Sequence, residues 1–187
     1  MFLSVCAFSL MDLIVKWSVD YPIGQVLFFR GFFGIIFYLF IIPKERFHNF
    51  YKTKRPGLHA LRCGSGLIAL IAIFIALRQL PLATVVSISF AAPIFTTILS
   101  IFLLNEKVGI FRWLAVIIGF FGILIITEPG ITELNIYYIF PIIFCLGLSY
   151  VAITIRQLST TEPVWLISFY FSLAILLLSF LTIPQGW

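Results

Sequence analysis

Residues 79–105 read QLPLATVVSISFAAPIFTTILSIFLLN, a stretch without a single charged side chain. A helix needs about 20 mostly apolar residues to cross a bilayer, and this stretch exceeds that with a proline, Pro93, inside it. The same pattern recurs outward in both directions. Leu134–Ile155 and Pro163–Trp187 are also free of charge, and shorter uncharged runs lie at Gly31–Pro43, Cys63–Leu77 and Trp113–Thr127. Of the 187 residues, 62% are apolar and only 10% are charged, with a mean hydropathy of +1.16. Soluble domains carry about 25% charged residues, so this composition excludes a soluble enzyme, a nucleic-acid binder and a disordered chain. The three cysteines, Cys6, Cys63 and Cys145, sit far apart in apolar runs and match neither a metal spacing nor a disulfide framework.

The chain therefore reads as an all-α, polytopic membrane helix bundle. Seven spans are expected, at 1–19, 23–43, 60–79, 82–104, 109–127, 135–156 and 163–183. They are separated by turn chemistry at Tyr21-Pro22, Leu80-Pro81, Asn105-Glu106, Glu128-Pro129-Gly130 and Glu162-Pro163. The runs lack the period-two alternation of a membrane β-barrel. The first segment has no basic leader and holds Asp12 and Lys16 in its second half, which marks a retained helix rather than a signal peptide.

Lysine and arginine placement orients the bundle. Lys44, Arg46, Lys52, Lys54, Arg55, Arg62, Lys107, Arg112 and Arg156 fall on one side, and only Arg78 falls on the other. The nine-residue side is expected to be cytoplasmic, with the N-terminus inside and the protein in a bacterial cytoplasmic (inner) membrane. Trp17, Tyr21, Trp113, Tyr137, Tyr138, Trp165 and Trp187 fall near span ends, as an interfacial aromatic belt requires. The basic linker from Lys44 to His59 reads as a topology signal, with anionic-lipid binding as the alternative; Arg62 and Arg112 read as anchors at cytoplasmic helix ends.

An offset of 141 residues pairs Pro22 with Pro163, Phe28 with Phe169 and Pro43 with Pro184 without a gap. Five spans separate the copies, so the second is inverted in the membrane. Inverted-topology repeats with a solute site at their interface are typical of secondary transporters. The expected organisation is one five-helix repeat over 1–130, plus the first two helices of an inverted second repeat over 131–187. Two full repeats would need roughly 282 residues. About 95 residues, or three spans, are then expected to be missing after Trp187, and the chain alone is expected to be inactive in transport.

The stretch from Ala76 to Gly130 resembles the drug/metabolite transporter superfamily, in its EamA-domain branch. The similarity is carried by Leu80-Pro81, by Ala92-Pro93 within a span, by the Leu104-Asn105-Glu106-Lys107 turn and by Gly119 and Gly122 in the span that follows. The FFRGFFG of Phe28–Gly34 is similar as well. The resemblance implies ten helices in two inverted repeats around a cavity that moves a small metabolite or drug-like solute by alternating access. One branch with similar opening spans takes up S-adenosylmethionine. A non-transporting membrane scaffold or fragment and a membrane-embedded lipid-modifying enzyme are the competing readings. The implied partners are a small-molecule solute and the bilayer, with no nucleic acid and no cofactor, and a homodimer as an open arrangement.

Charges inside lipid are costly, at roughly 2.5–3.5 kcal/mol each on insertion scales, and are functional candidates by default. Asp12 and Lys16 lie four residues apart on one helix face. Lys16 is placed about 6 Å and Asp12 about 12 Å below the outer end of span 1, and Arg30 about 12 Å deep in span 2. The three can form a triad whose surplus positive charge suits an anionic or carboxylate-bearing solute. The alternatives are a helix-pairing lock and, for Lys16, an outward snorkel. In span 4, Ser87, Ser89, Thr96, Thr97 and Ser100 surround Pro93. The carbonyl freed by the proline and nearby hydroxyls such as Ser89 and Thr96 can line a solute site, or the hydroxyls can bond back to their own helix. Gly31, Gly34, Gly64, Gly66, Gly119 and Gly122 are expected to permit close helix packing. The residues show no catalytic constellation and no metal cluster; His48 and His59 are both assigned to the basic linker. The orientation is testable: a cysteine at position 50, in a background lacking Cys6, Cys63 and Cys145, should react only with membrane-permeant reagent. Labelling from outside by an impermeant reagent would contradict it.

Overall fold

The computed structural model describes residues 2–41, 53–105, 108–127 and 136–183. The linker cations Lys44, Arg46 and Lys52, His48, the Glu106-Lys107 pair, the Glu128-Pro129-Gly130 turn and the Pro184–Trp187 tail lie outside the described residues, as does the side chain of Arg112.

Among the described residues the chain is helical throughout: α1 (Phe2–Trp17), α2 (Ile23–Ile41), α3 (Pro56–Gln79), α4 (Leu82–Ser89), α5 (Ala92–Leu104), α6 (Ile110–Thr127), α7 (Ile139–Leu158) and α8 (Val164–Phe180). Short 3-10 turns at Ser18–Asp20 and Ile136–Tyr138 complete the described elements. The segments Ile23–Phe40, Pro56–Gln79, Leu82–Leu104 and Ile136–Leu158 are long and apolar enough to cross a membrane. Large apolar side chains such as Phe33, Phe40, Phe111, Ile118 and Phe121 are exposed. On a protein this apolar they mark the face that meets hydrocarbon. The chain is a multi-pass membrane protein.

Local chemistry explains where helices start and stop. α3 opens at Pro56 rather than at residue 60, because proline at the first helical position has its φ preset and no N–H to leave unpaired. His59 is consequently part of α3 and buried, not part of a solvated linker. α5 ends at Asn105, whose φ of 50° is left-handed, a conformation that asparagine tolerates at a helix C-terminus. The fourth expected span is two helices. Pro93 cannot donate to the Ser89 carbonyl and its ring crowds the preceding turn, so α4 stops at Ser89 and α5 restarts at Ala92.

The helices gather into two compact units. The first comprises Met1–Trp17 and Ile68–Ile153, and the second Ser18–Leu67 and Thr154–Trp187. In the first unit Val15, Phe74, Leu77, Leu80, Val85 and Cys145 are buried. The core of the second is the antiparallel packing of α2 on α8. A Cβ on Gly31 would sit 2.9 Å from the Leu176 backbone nitrogen, and one on Gly34 would sit 2.8 Å from Ser172 Oγ. The two backbones therefore approach closely because these positions are glycine, the small-residue packing typical of membrane helices. Phe28 closes one end of the seam against Phe180, with ring centroids 5.7 Å apart. The packing role expected for Gly64, Gly119 and Gly122 is not found, since added Cβ atoms there meet nothing within 4 Å. Their spacing fixes the helix but not the face that it turns inward.

Gly31→Ala is expected to cost about 1–3 kcal/mol, because the methyl meets main chain that cannot move aside. Gly64→Ala, which meets nothing, should be neutral or stabilising by up to about 1 kcal/mol through helix propensity. Melting curves in mild detergent measure both, and equal melting temperatures for the two variants would contradict the seam.

Candidate functional site

Several polar groups inside the helical segments have defined partners. In the first unit, Pro81 has no N–H for the Leu77 carbonyl, and the turn into α4 leaves the Leu80 carbonyl open. Lys16 Nζ donates to both, at 2.6 Å to Leu77 O and 2.8 Å to Leu80 O. A cation at a helix C-terminus also complements the negative end of the dipole. Lys16 therefore ties α1 to the end of α3 and does not snorkel outward. Asp12, one turn earlier on α1, is half-buried.

The break between α4 and α5 is held from α7. Cys145 Sγ lies 3.4 Å from the Ile88 carbonyl and 3.8 Å from the Ser89 carbonyl that Pro93 leaves open. One turn further along α7, Ser149 Oγ donates to the Ala92 carbonyl at 2.9 Å, with the Cys145 carbonyl 2.7 Å away as an alternative acceptor. Cys145 and Ser149 are both fully buried. The hydroxyls of the broken span bond back to their own helices: Ser89 to Val85 O at 2.7 Å, Thr96 to Ala92 O and Thr97 to Pro93 O at 2.9 Å, and Ser100 to Thr97 O at 2.8 Å. Pro93 itself is exposed. Ser89, Pro93 and Thr96 lie at the helix break, and the hydroxyl protons of Ser89 and Thr96 are donated to their own helices.

The second unit contains a cavity of about 360 Å³. Arg30, Arg62, Tyr38, Phe171 and Ser172 are among the residues lining it, and none of the described lining residues is acidic. Arg30 comes from the middle of α2. Arg62 comes from α3, about 9 Å along the helix from Pro56 at 1.5 Å per residue. Arg62 is not the exposed anchor expected from its position. It is only 8% exposed, its guanidinium carbon sits 4.0 Å from the centre of the Phe171 ring, and Nε and Nη1 have no hydrogen-bond partner. Gly66 makes this fold of the side chain possible. A Cβ there would lie 2.6 Å from Arg62 Nη1 and 2.7 Å from the Phe171 ring.

The chain's own contacts do not offset the cost of burying the Arg62 charge. Cation–π attraction to Phe171 is worth about 2 kcal/mol when desolvated. Two unmet guanidinium donors each forfeit about 1–3 kcal/mol, on top of the insertion cost of the charge. An oxyanion in the cavity would supply both the counter-charge and the acceptors, so the arrangement suits binding of a negatively charged group.

Nearby in the same unit, Glu162 ends the α7–α8 turn and accepts from Thr53 Oγ1 at 2.8 Å and from Lys54 N at 2.6 Å. A carboxylate at this place complements the N-terminus of α3. His59 stacks on Tyr170 with ring centroids 4.7 Å apart.

Of the residues singled out from sequence, Asp12 and Lys16 share a face of α1, Ser89, Pro93 and Thr96 share the helix break, and Arg30 lines the cavity. The cavity's second cation and the α7 residues behind the break were missed. The only signal for Arg62 was its place beside the small residues of CGSG, residues 63–66.

Residues 1–128 match the EamA-like transporter family. The chain belongs to that family. Within it, the chain is 28% identical over 187 residues to an S-adenosylmethionine uptake transporter of Rickettsia prowazekii, covering 99% of this chain and 63% of that protein. It is 31% identical over 155 residues to an uncharacterized transporter of Helicobacter pylori, covering 81% of this chain and 52% of that protein. It is 25% identical over 182 residues to the pseudopaline exporter CntI of Pseudomonas aeruginosa, covering 96% and 62%. The chain thus spans between about half and two thirds of the length of these relatives.

Lys16→Met should lower stability by about 2 kcal/mol or more, since it removes charge-assisted bonds to two carbonyls that have no other donor. Thermal melting checks this. A variant that melts like the parent would contradict the lock.

Proposed function

We propose that this EamA-family chain works as, or within, a secondary transporter that carries a small solute across the bacterial cytoplasmic membrane by alternating access, and not as an enzyme. The observation that carries this reading is the family match over residues 1–128 together with relatives named as transporters. One relative is named for uptake and another for export, so membership in the family leaves the direction open. The nine-to-one distribution of lysine and arginine supports an N-terminus on the cytoplasmic side.

Packing in the second unit supports the assignment of 1–130 and 131–187 to inverted repeats. An axis relating two copies requires self-complementary contacts: if residue i meets the equivalent of j, then j meets the equivalent of i. Gly34 meets Ser172, which is Gly31 displaced by 141. The reciprocal contact is Gly31 with Ile175, and the observed partner is its neighbour Leu176. α2 and α8 therefore cross close to the point where a two-fold axis between the copies would pass. The solute's route lies along the repeat interface in this reading, and Asp12, Lys16 and Arg30 are the charged groups assigned to binding or coupling.

Uptake and efflux of a panel of labelled metabolites, S-adenosylmethionine among them, test the proposal in cells expressing the chain with its reading frame continued past Trp187 as far as it runs. At least one solute should move several-fold faster than in control cells. A correctly inserted protein that moves none would contradict the transporter reading. Asp12→Asn separates the roles of the triad. Loss of flux at unchanged abundance supports a part in coupling or binding, and reduced abundance with unchanged flux per molecule supports a structural lock.

A further inference from the structure

We propose that the Arg62–Phe171 side of the second-unit cavity is an oxyanion site, which takes the carboxylate or phosphate of a small molecule whose flat apolar part lies along the aromatic wall. The inference rests on the transporter reading and adds a substrate class to it. Four observations converge. Arg62 is more than nine-tenths buried, its Nε and Nη1 have no hydrogen-bond partner, it lines a cavity of about 360 Å³, and none of the described lining residues is acidic. Guanidinium groups favour planar, two-oxygen anions because their donors form a rigid fork. The Phe171 ring beneath the guanidinium holds that fork in one plane. Tyr38 and Ser172 also line the cavity and offer hydroxyls to a second oxygen. Arg30 lines the same cavity, and a bound anion fills the open donors of Arg62. A lipid headgroup phosphate carries the same chemistry as a free anion, and the two sources are separable by experiment.

The test uses the full chain, purified in a non-ionic detergent without anionic lipid, and reads melting temperature against ligand concentration at constant ionic strength. The probes are sodium benzoate, its uncharged counterpart benzamide, and inorganic phosphate, with sodium chloride as the control. Benzoate or phosphate should raise the melting temperature in a saturable way, and benzamide should not. Arg62→Gln should weaken benzoate binding at least tenfold. Arg62→Lys keeps the charge but loses the fork, and should also weaken it, so the test survives if the glutamine variant does not fold. Vesicles of phosphatidylcholine with and without phosphatidylglycerol identify the source. Competition by phosphatidylglycerol assigns the site to a headgroup, and its absence assigns the site to a free solute. No saturable shift with any anion, equal shifts with benzamide, or full benzoate affinity in Arg62→Lys would each overturn the proposal. Binding is read without flux. Benzoate binding through Arg62 with no flux from the inserted chain whose reading frame is continued past Trp187 refutes the transporter reading alone, and flux from that chain without anion binding refutes the oxyanion site alone.

Discussion

Hydrocarbon offers no water to complete a hydrogen bond, so each backbone carbonyl and each charge inside the bilayer must find its partner within the protein. The local architecture follows from this constraint. Where Pro81 leaves the Leu77 carbonyl open, Lys16 supplies the donor. Where Pro93 leaves the Ser89 carbonyl open, the Cys145 thiol faces it, and Ser149 adds a donor to the Ala92 carbonyl at the start of α5. Two prolines, each recruiting a side chain from another helix, account for the main polar contacts of the first unit. Those contacts in turn fix which faces of α1 and α7 point inward.

The second unit meets the same constraint by closeness rather than by polar bonding. Gly31 and Gly34 let α2 and α8 approach until their backbones are separated by little more than a methyl group, where dispersion forces are strongest. Gly66 applies the same principle to a charge, giving room for a guanidinium to fold onto Phe171. Arg62 is a place where the constraint is left unmet by the chain itself. Both ring nitrogens of His59 are also buried without a partner, but the open donors of Arg62 line a cavity, where a ligand would contribute most.

Much of this was legible in the sequence. Charge-free runs long enough to span hydrocarbon located the helices, because that length requirement is set by the bilayer and not by packing. Proline placed the helix ends at 22, 81 and 163, and Pro93 announced a break in span 4. What sequence did not supply was rotation about each helix axis. Depth follows from counting residues at 1.5 Å each, so Arg30 was placed inside the membrane and Lys16 near its edge. The face that each side chain presents depends on neighbours from distant parts of the chain. Arg62 read as a surface anchor for that reason, Gly64 as a packing residue, and His59 as part of a linker that in fact begins α3. The hydroxyls of span 4 read as ligands or as back-bonding groups, and Ser89, Thr96, Thr97 and Ser100 each donate to a carbonyl of their own helix at 2.7–2.9 Å.

The most direct test of the unmet-donor claim is a distance. Solid-state NMR on the chain in lipid, with nitrogen-15 in the arginine guanidinium groups and carbon-13 in the carboxyl of benzoate, reports coupling between the two labels. Direct contact, with nitrogen and oxygen about 2.8 Å apart as in a charge-assisted hydrogen bond, should give strong carbon–nitrogen coupling at saturating benzoate, and Arg62→Lys should remove the component due to Arg62. Saturating benzoate with no arginine coupling, or coupling unchanged in Arg62→Lys, would contradict the view that Arg62 is the group this fold leaves open for a ligand.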